Sequence, residues 1–123
     1  MKTIIAGSRD FKDYNLLKSQ LDYYRMHKNN ITEVVSGCAK GADMLGESYA
    51  NEQSIPVKQF PADWDKHKKA AGPIRNRQMA EYADCLIAVW DGSSRGTKNM
   101  IDEMNKLKKP VFVIMTNVEI VAQ

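Results

Sequence analysis

Cysteine is scarce in this chain, with two residues in 123, Cys38 and Cys85. They lie far apart and in no metal-ligand spacing, so neither a disulfide framework nor a thiolate metal site is expected. No apolar run approaches the roughly 20 residues that a membrane-spanning helix requires. Met1 leads straight into a strand pattern, with no apolar leader segment. The expectation is a reduced, cytoplasmic protein without a membrane partner. Charge of one sign is also in short supply: 18 Lys and Arg against 15 Asp and Glu leave a net charge of +3. That balance permits an anionic ligand but lacks the basic asymmetry of a nucleic-acid binder, so nucleic acid is not expected as a partner. The fingerprints G-x-G-x-x-G and G-x-x-x-x-G-K-S/T are absent, which sets aside an ordinary dehydrogenase and a P-loop NTPase. Neither a metal nor a cofactor is expected.

What the chain does have is alternation of strand-like and helix-like segments. Lys2–Ala6, Ile31–Val35, Val57–Phe60, Cys85–Trp90 and Pro110–Met115 read as strands. The fourth is nearly all apolar, as in a central strand covered on both faces. Between them, helices are expected from Asp13 or Asn15 to about His27, from Gly41 to Gln53, from Pro73 to Tyr82 and from Thr97 to Lys108. Leu16, Leu17, Leu21 and Tyr24 would face inward on the first; Leu45, Tyr49 and Met44 on the second; Met79 on the third. Pro61–Gly72 reads as a long connection, a kind of segment that is often functional. Val118–Val121 would add an edge strand or pair with another subunit. One domain over residues 1–123 is expected, an α/β Rossmann-like parallel sheet of order 3-2-1-4-5 with helices on both faces. Ligands of such sheets bind outside the carboxyl ends of the strands, at the switch point between strands one and four.

Three loops leave from that rim. Val35-Ser-Gly-Cys-Ala-Lys-Gly-Ala-Asp43 opens a helix, and its small residues let backbone N–H groups approach an anion. Gly7-Ser8-Arg9 and Asp91-Gly-Ser-Ser-Arg-Gly-Thr97 follow apolar runs in the same way. Lys66, Lys68 and Lys69, and Lys106, Lys108 and Lys109, read as solvated helix faces.

These loops, with Pro61-Ala-Asp-Trp64 and Ala71-Gly-Pro-Ile-Arg-Asn76 followed by Met79, resemble the YspA-like branch of the SLOG superfamily over nearly the whole chain. The resemblance implies a Rossmann-like fold that binds a nucleotide or a nucleotide-derived ligand such as an ADP-ribose derivative, in a homodimer or higher oligomer. The wider superfamily includes the LOG enzymes, which hydrolyse the N-glycosidic bond of a nucleoside monophosphate, and the DNA-processing protein DprA. Arg75-Asn-Arg-Gln-Met79 matches the LOG motif R-K-x-x-M, which places the catalytic arginine at Arg75. Gly96-Thr97 matches part of P-G-G-x-G-T-x-x-E, but its acidic position falls on Met100, which can neither activate water nor stabilise an oxocarbenium-like centre. Asp43, Asp63 or Asp91 remain as substitutes, and the sequence favours none of them.

The expected ligand-binding residues are Gly7, Ser8, Arg9, Ser36, Gly37, Lys40, Gly41, Asp43, Trp64, Arg75, Asn76, Asp91, Gly92, Gly96 and Thr97. Each has a plainer reading. Gly37 and Gly41 serve equally as turn glycines, and Lys40 as a solvated lysine. Asp43 suits an N-cap that holds the loop. Arg9 suits a surface salt bridge, and Arg75 an ion pair with Asp84 or Glu81. Trp64 is split between base platform and loop anchor, Trp90 reads as core, and Cys38 as a small filler at a tight turn. Three functions follow: a binding or sensing module for a nucleotide-derived molecule; a LOG-like N-glycosidase using Arg75; and single-stranded DNA binding by analogy with DprA.

Overall fold

The structure, a computed structural model, describes residues 1–116; the expected tail element Val118–Val121 lies outside the described residues. Among the described residues five strands, β1 (Lys2–Gly7), β2 (Glu33–Ser36), β3 (Val57–Gln59), β4 (Cys85–Trp90) and β5 (Val111–Met115), form one sheet. All neighbours are parallel and the order is β3-β2-β1-β4-β5, as expected. Five α-helices connect them: α1 (Tyr14–His27), α2 (Ala42–Glu52), α3 (Trp64–His67), α4 (Ala71–Tyr82) and α5 (Arg95–Lys106).

The central strands are apolar because both faces are covered. Adjacent residues of a strand point to opposite faces, and the core divides accordingly. Ile5, Val34, Ile87 and Val89 pack with Leu17, Leu21, Tyr24 and Tyr49 of α1 and α2. Their neighbours Ile4, Val35, Leu86 and Ala88 pack with Met79, Met100 and Met104 of α4 and α5. Asp13 caps α1, its carboxylate accepting from Leu16 N at 3.0 Å.

Several expectations shift. Leu16 is half-buried, and Met44 faces outward with 47% of its surface exposed, because Gly46 and Tyr49 take the inner face of α2. The connection Pro61–Gly72 is not a loop throughout: it holds α3 and a 3₁₀ turn at Lys68–Ala70. Helix α4 begins at Ala71 rather than Pro73. Proline fits there because the first four helical N–H groups have no intrahelical partner to lose. Helix α5 begins at Arg95, two residues ahead of Thr97, and ends at Lys106. Lys109 is not a solvated lysine. Its Nζ donates to the carbonyls of Ala80, Glu81 and Ala83 at 2.8, 3.1 and 2.8 Å, closing the C-terminus of α4.

Candidate functional site

The carboxyl ends of β1, β2 and β4 open onto two adjoining clefts. The first, of about 370 Å³, lies at the switch point between β1 and β4. Gly7, Ser8, Arg9, Asp43, Arg75, Asn76, Asp91, Gly96 and Thr97 line it. The second, of about 350 Å³, takes Gly37, Lys40 and Trp64 and shares Arg9, Ala39 and Arg75 with the first. Ser36, Gly41 and Gly92 line neither cleft and shape the loops instead.

The loop into α2 is held by its own chain. Ser36 Oγ donates to Glu47 Oε2 at 2.6 Å and accepts from Cys38 N at 3.1 Å. Gln59 Nε2 donates to the other oxygen of Glu47 at 2.9 Å. Gly41, at φ 78°, packs its Cα against the carbonyls of Ser8 and Arg9, where a side chain has no room. The first N–H of α2, that of Ala42, donates to Ser8 O at 3.2 Å. Asp43 is not the N-cap. It is the second residue of the helix, and its Oδ2 reaches back to accept from Ala39 N at 3.2 Å. A carboxylate in the first turn complements the helix dipole, so this helix start already carries its anion.

Asp43 is 5% exposed. Burial pushes its carboxyl up to about 6, against the pull of the Ala39 N–H and the Arg75 charge. Arg75 is half-buried, and burial lowers its pKa from the ordinary value. Its guanidinium donates through Nη1 to Gly37 O and through Nε to Asn76 Oδ1 at 3.0 Å. No ion pair to Asp84 or Glu81 forms among the described residues. Gly37 makes this possible: a Cβ there would sit 2.7 Å from Arg75 Nη1 and 2.8 Å from Asp43 Oδ2. Asn76 is buried and donates to Gly96 O at 3.3 Å and to Asn99 Oδ1 at 2.8 Å. It therefore ties Arg75 to the start of α5.

That second helix start is open. Ser94, its N-cap, makes no side-chain capping bond, and Gly96 and Thr97 of its first turn face the first cleft. Asp91 shapes the loop ahead of it, accepting from Ser93 N and Ser94 N at 2.8 Å each. These N–H groups hold its carboxyl below the ordinary range. Trp90 braces the same turn, its Nε1 donating to Ser94 O at 3.1 Å. On the other side of the cleft, Ser8 is 7% exposed, and its Oγ is the one buried side-chain polar atom without a partner among the described residues.

Of the three substitute carboxylates, Asp63 caps α3 by accepting from Lys66 N, Asp91 is committed to its loop, and Asp43 lies in the cleft beside Arg75. Met100 is buried and lines the same cleft, while Glu103 pairs with Arg77 and Lys106. Cys38 sits at φ 65°, and its thiol is raised by burial and by Glu47, which suits a turn residue and not a nucleophile. Asp10, Ala39 and Met79 line the first cleft without having been expected as ligand contacts, and Ser94, beside the expected Gly96 and Thr97, lines it too. Glu47 holds the loop from 11 residues beyond Ser36, and Gln59, 12 residues further on, holds Glu47; no local pattern marks either of them.

The family described as YspA, cpYpsA-related SLOG matches residues 1–67. The chain belongs to that family. A full-length relative is the gene 61 protein of Mycobacterium phage D29, 32% identical over 118 residues, which are 90% of this chain and 94% of that protein. DNA processing protein A (DprA) shares the SLOG chain's fold. The Streptococcus pneumoniae structure gives a TM-score of 0.77 at 18% identity, covering 97% of this chain and 52% of that one. The Helicobacter pylori structure gives 0.69 at 18% identity, covering 97% and 67%. The chain thus spans about half the length of the Streptococcus pneumoniae protein. The Helicobacter pylori structure is described by its single-stranded DNA binding mode, which overturns the expectation that nucleic acid is no partner. Net charge of the whole chain does not decide against such a partner, because a groove on a rim can be basic when the chain is nearly balanced. Among the described residues no helix is long and apolar enough to cross a membrane.

Proposed function

We propose that this chain binds a nucleotide or a nucleotide-derived small molecule, ADP-ribose-like or a nucleoside phosphate, at the carboxyl rim of the sheet, and serves as a sensor. The observation that carries this reading is the first cleft's unmatched polarity. Ser8 Oγ is buried without a partner, and the N-terminus of α5 is open beside Arg75 and Arg9, neither of which is ion-paired among the described residues. A phosphate fits such a place, with donors converging from a helix start and bidentate guanidinium groups. Free thiols at Cys38 and Cys85 favour a reduced, cytoplasmic setting. Exposed Tyr23 and Met26 on α1 and Val113 and Met115 on the β5 edge favour a homo-oligomer of one-domain chains.

A second reading, LOG-like N-glycosidase activity, is favoured by Asp43, a buried carboxylate near neutral titration beside Arg75. Ligand-induced thermal stabilisation, measured with a panel of nucleoside phosphates, tests the first reading. Arg9→Ala should abolish it while changing little in the unliganded chain, and Arg75→Ala should abolish it while costing about 1–3 kcal/mol of stability, because Gly37 O and Asn76 Oδ1 lose their donor; unchanged stabilisation would sink the site. Base release during the same incubations, lost in Arg75→Ala, would move the assignment to the enzyme. Binding of labelled oligo-dT with a steep salt dependence, competed by no nucleotide, would move it to single-stranded DNA.

A further inference from the structure

Arg9 and Arg75 stand in the wall that the two clefts share. Two guanidinium groups at one junction repel: Arg75 feels the charge of Arg9, though less than the opposite charge of Asp43. Neither has a carboxylate within ion-pair distance among the described residues. An anion between them removes that repulsion. The spaces on either side differ in character. The first cleft has an apolar floor of Ala6, Met79 and Met100 beneath its polar rim. The second is walled by Pro61, Ala62 and the indole of Trp64, which is 50% exposed and makes no hydrogen bond among the described residues. An indole left half in water at the mouth of a cleft is a platform for a flat ring. Each cleft alone lies near the bottom of the size range of small-molecule sites, about 300–1,000 Å³.

We infer that the ligand is two-lobed: a nucleoside whose base lies on Trp64 in the second cleft, a phosphate bridge between Arg9 and Arg75, and a second sugar or base over Met79 and Met100 in the first. Lys40, in the second cleft, adds charge on the nucleoside side of the bridge. The inference rests on the reading of the rim as a nucleotide site and narrows it to nucleoside diphosphates carrying a second ring.

Titration calorimetry of the full chain tests it. The probes are the four common ribonucleoside monophosphates and the two-lobed ADP-ribose, UDP-glucose, GDP-mannose and CDP-glucose. At least one two-lobed probe should bind about tenfold or more tightly than the matching monophosphate, and Trp64→Ala should weaken it by about tenfold. Trp64 is half-exposed, so this variant keeps the fold, which its unfolding midpoint checks. Equal affinity for monophosphates and two-lobed probes overturns the inference and leaves the site reading standing, as does a two-lobed affinity that Trp64→Ala does not change. Binding by none of the eight overturns the site reading, and the inference falls with it.

Discussion

Two helices begin at the rim, and they begin differently. The start of α2 is closed: Ser8 O takes its first N–H, the Asp43 carboxylate occupies its first turn, and Gly41 is jammed against the backbone of the β1 loop. The start of α5 is open, with no side-chain cap; its loop is shaped mainly by the adjacent Asp91 and Trp90, with Asn76 of α4 reaching its first turn. The glycine-rich run that stands out in the sequence is thus mostly scaffold. The plainer loop after β4 offers the free donors. Glycine content marks where backbone comes close; it does not say whether a ligand or the protein's own backbone is the neighbour.

The glycines of the two loops give the sharpest way to break this contrast. Gly41 and Gly92 both have positive φ, at 78° and 86°. A Cβ at Gly41 meets the carbonyls of Ser8 and Arg9, whereas at Gly92 its nearest neighbour is Met115 Cε at 3.6 Å. Gly41→Ala should therefore cost roughly 3 kcal/mol or more, from clash plus strain. Gly92→Ala should cost only the conformational penalty, about 1–2 kcal/mol. Urea unfolding of the two variants measures both. Equal losses would mean that the α2 loop relaxes freely and is not the locked element.

Asp43 supplies the next effect. Its carboxyl titrates at about 6 when folded, against an ordinary 3.8. The native state therefore binds the proton more tightly than the unfolded chain. The stability this gives is fully present below about 3.8 and is lost as pH rises through about 6. A shift of that size corresponds to roughly 3 kcal/mol. Asp43→Asn cannot titrate, so its stability relative to the parent should improve between pH 4 and pH 7 by about that amount. Unfolding free energies at several pH values give the slope. A flat difference would place Asp43 in a wetter site than its burial indicates. The same variant removes the negative charge beneath Arg75, so it should tighten binding of an anionic ligand at pH 7 and leave it unchanged near pH 4.

The sheet order, the strands and the residues at their carboxyl ends were legible because parallel α/β topology leaves few alternatives. Arg9, Gly96 and Thr97 could be assigned to one rim from the topology and Arg75 through the family resemblance, and the four meet in one cleft. Ser36 could not be told from a ligand contact, because its partner Glu47 lies on α2 and only the folded turn brings them together. Lys109 looked solvated for the same reason: its three carbonyl partners end a helix more than 25 residues earlier. Met44 and Leu45 sit side by side in the sequence, and 3.6-residue periodicity alone does not decide which one a small neighbour such as Gly46 lets inward. Proline at position 73 misled on the start of α4 because a proline is equally at home anywhere in the first turn.

The smallest effects separate remote from local support. Glu47 receives hydrogen bonds from Ser36 and Gln59. Glu47→Ala leaves the buried Ser36 hydroxyl without its acceptor and should cost about 1–3 kcal/mol. Its consequences should spread to β3 and to the second cleft, seen as faster amide exchange at Cys38 and Phe60, whose N–H groups bond to Ser36. Asp91→Ala removes two bonds to neighbours two and three residues along. It should cost less than Glu47→Ala and stay local, with protection lost at Ser93 and Ser94 and kept at Thr116, whose N–H bonds to Trp90 O. If exchange after Asp91→Ala instead spreads into β5, the α5 start depends on remote packing as much as the α2 start does, and the contrast between a closed, remotely held helix start and an open, locally shaped one is lost.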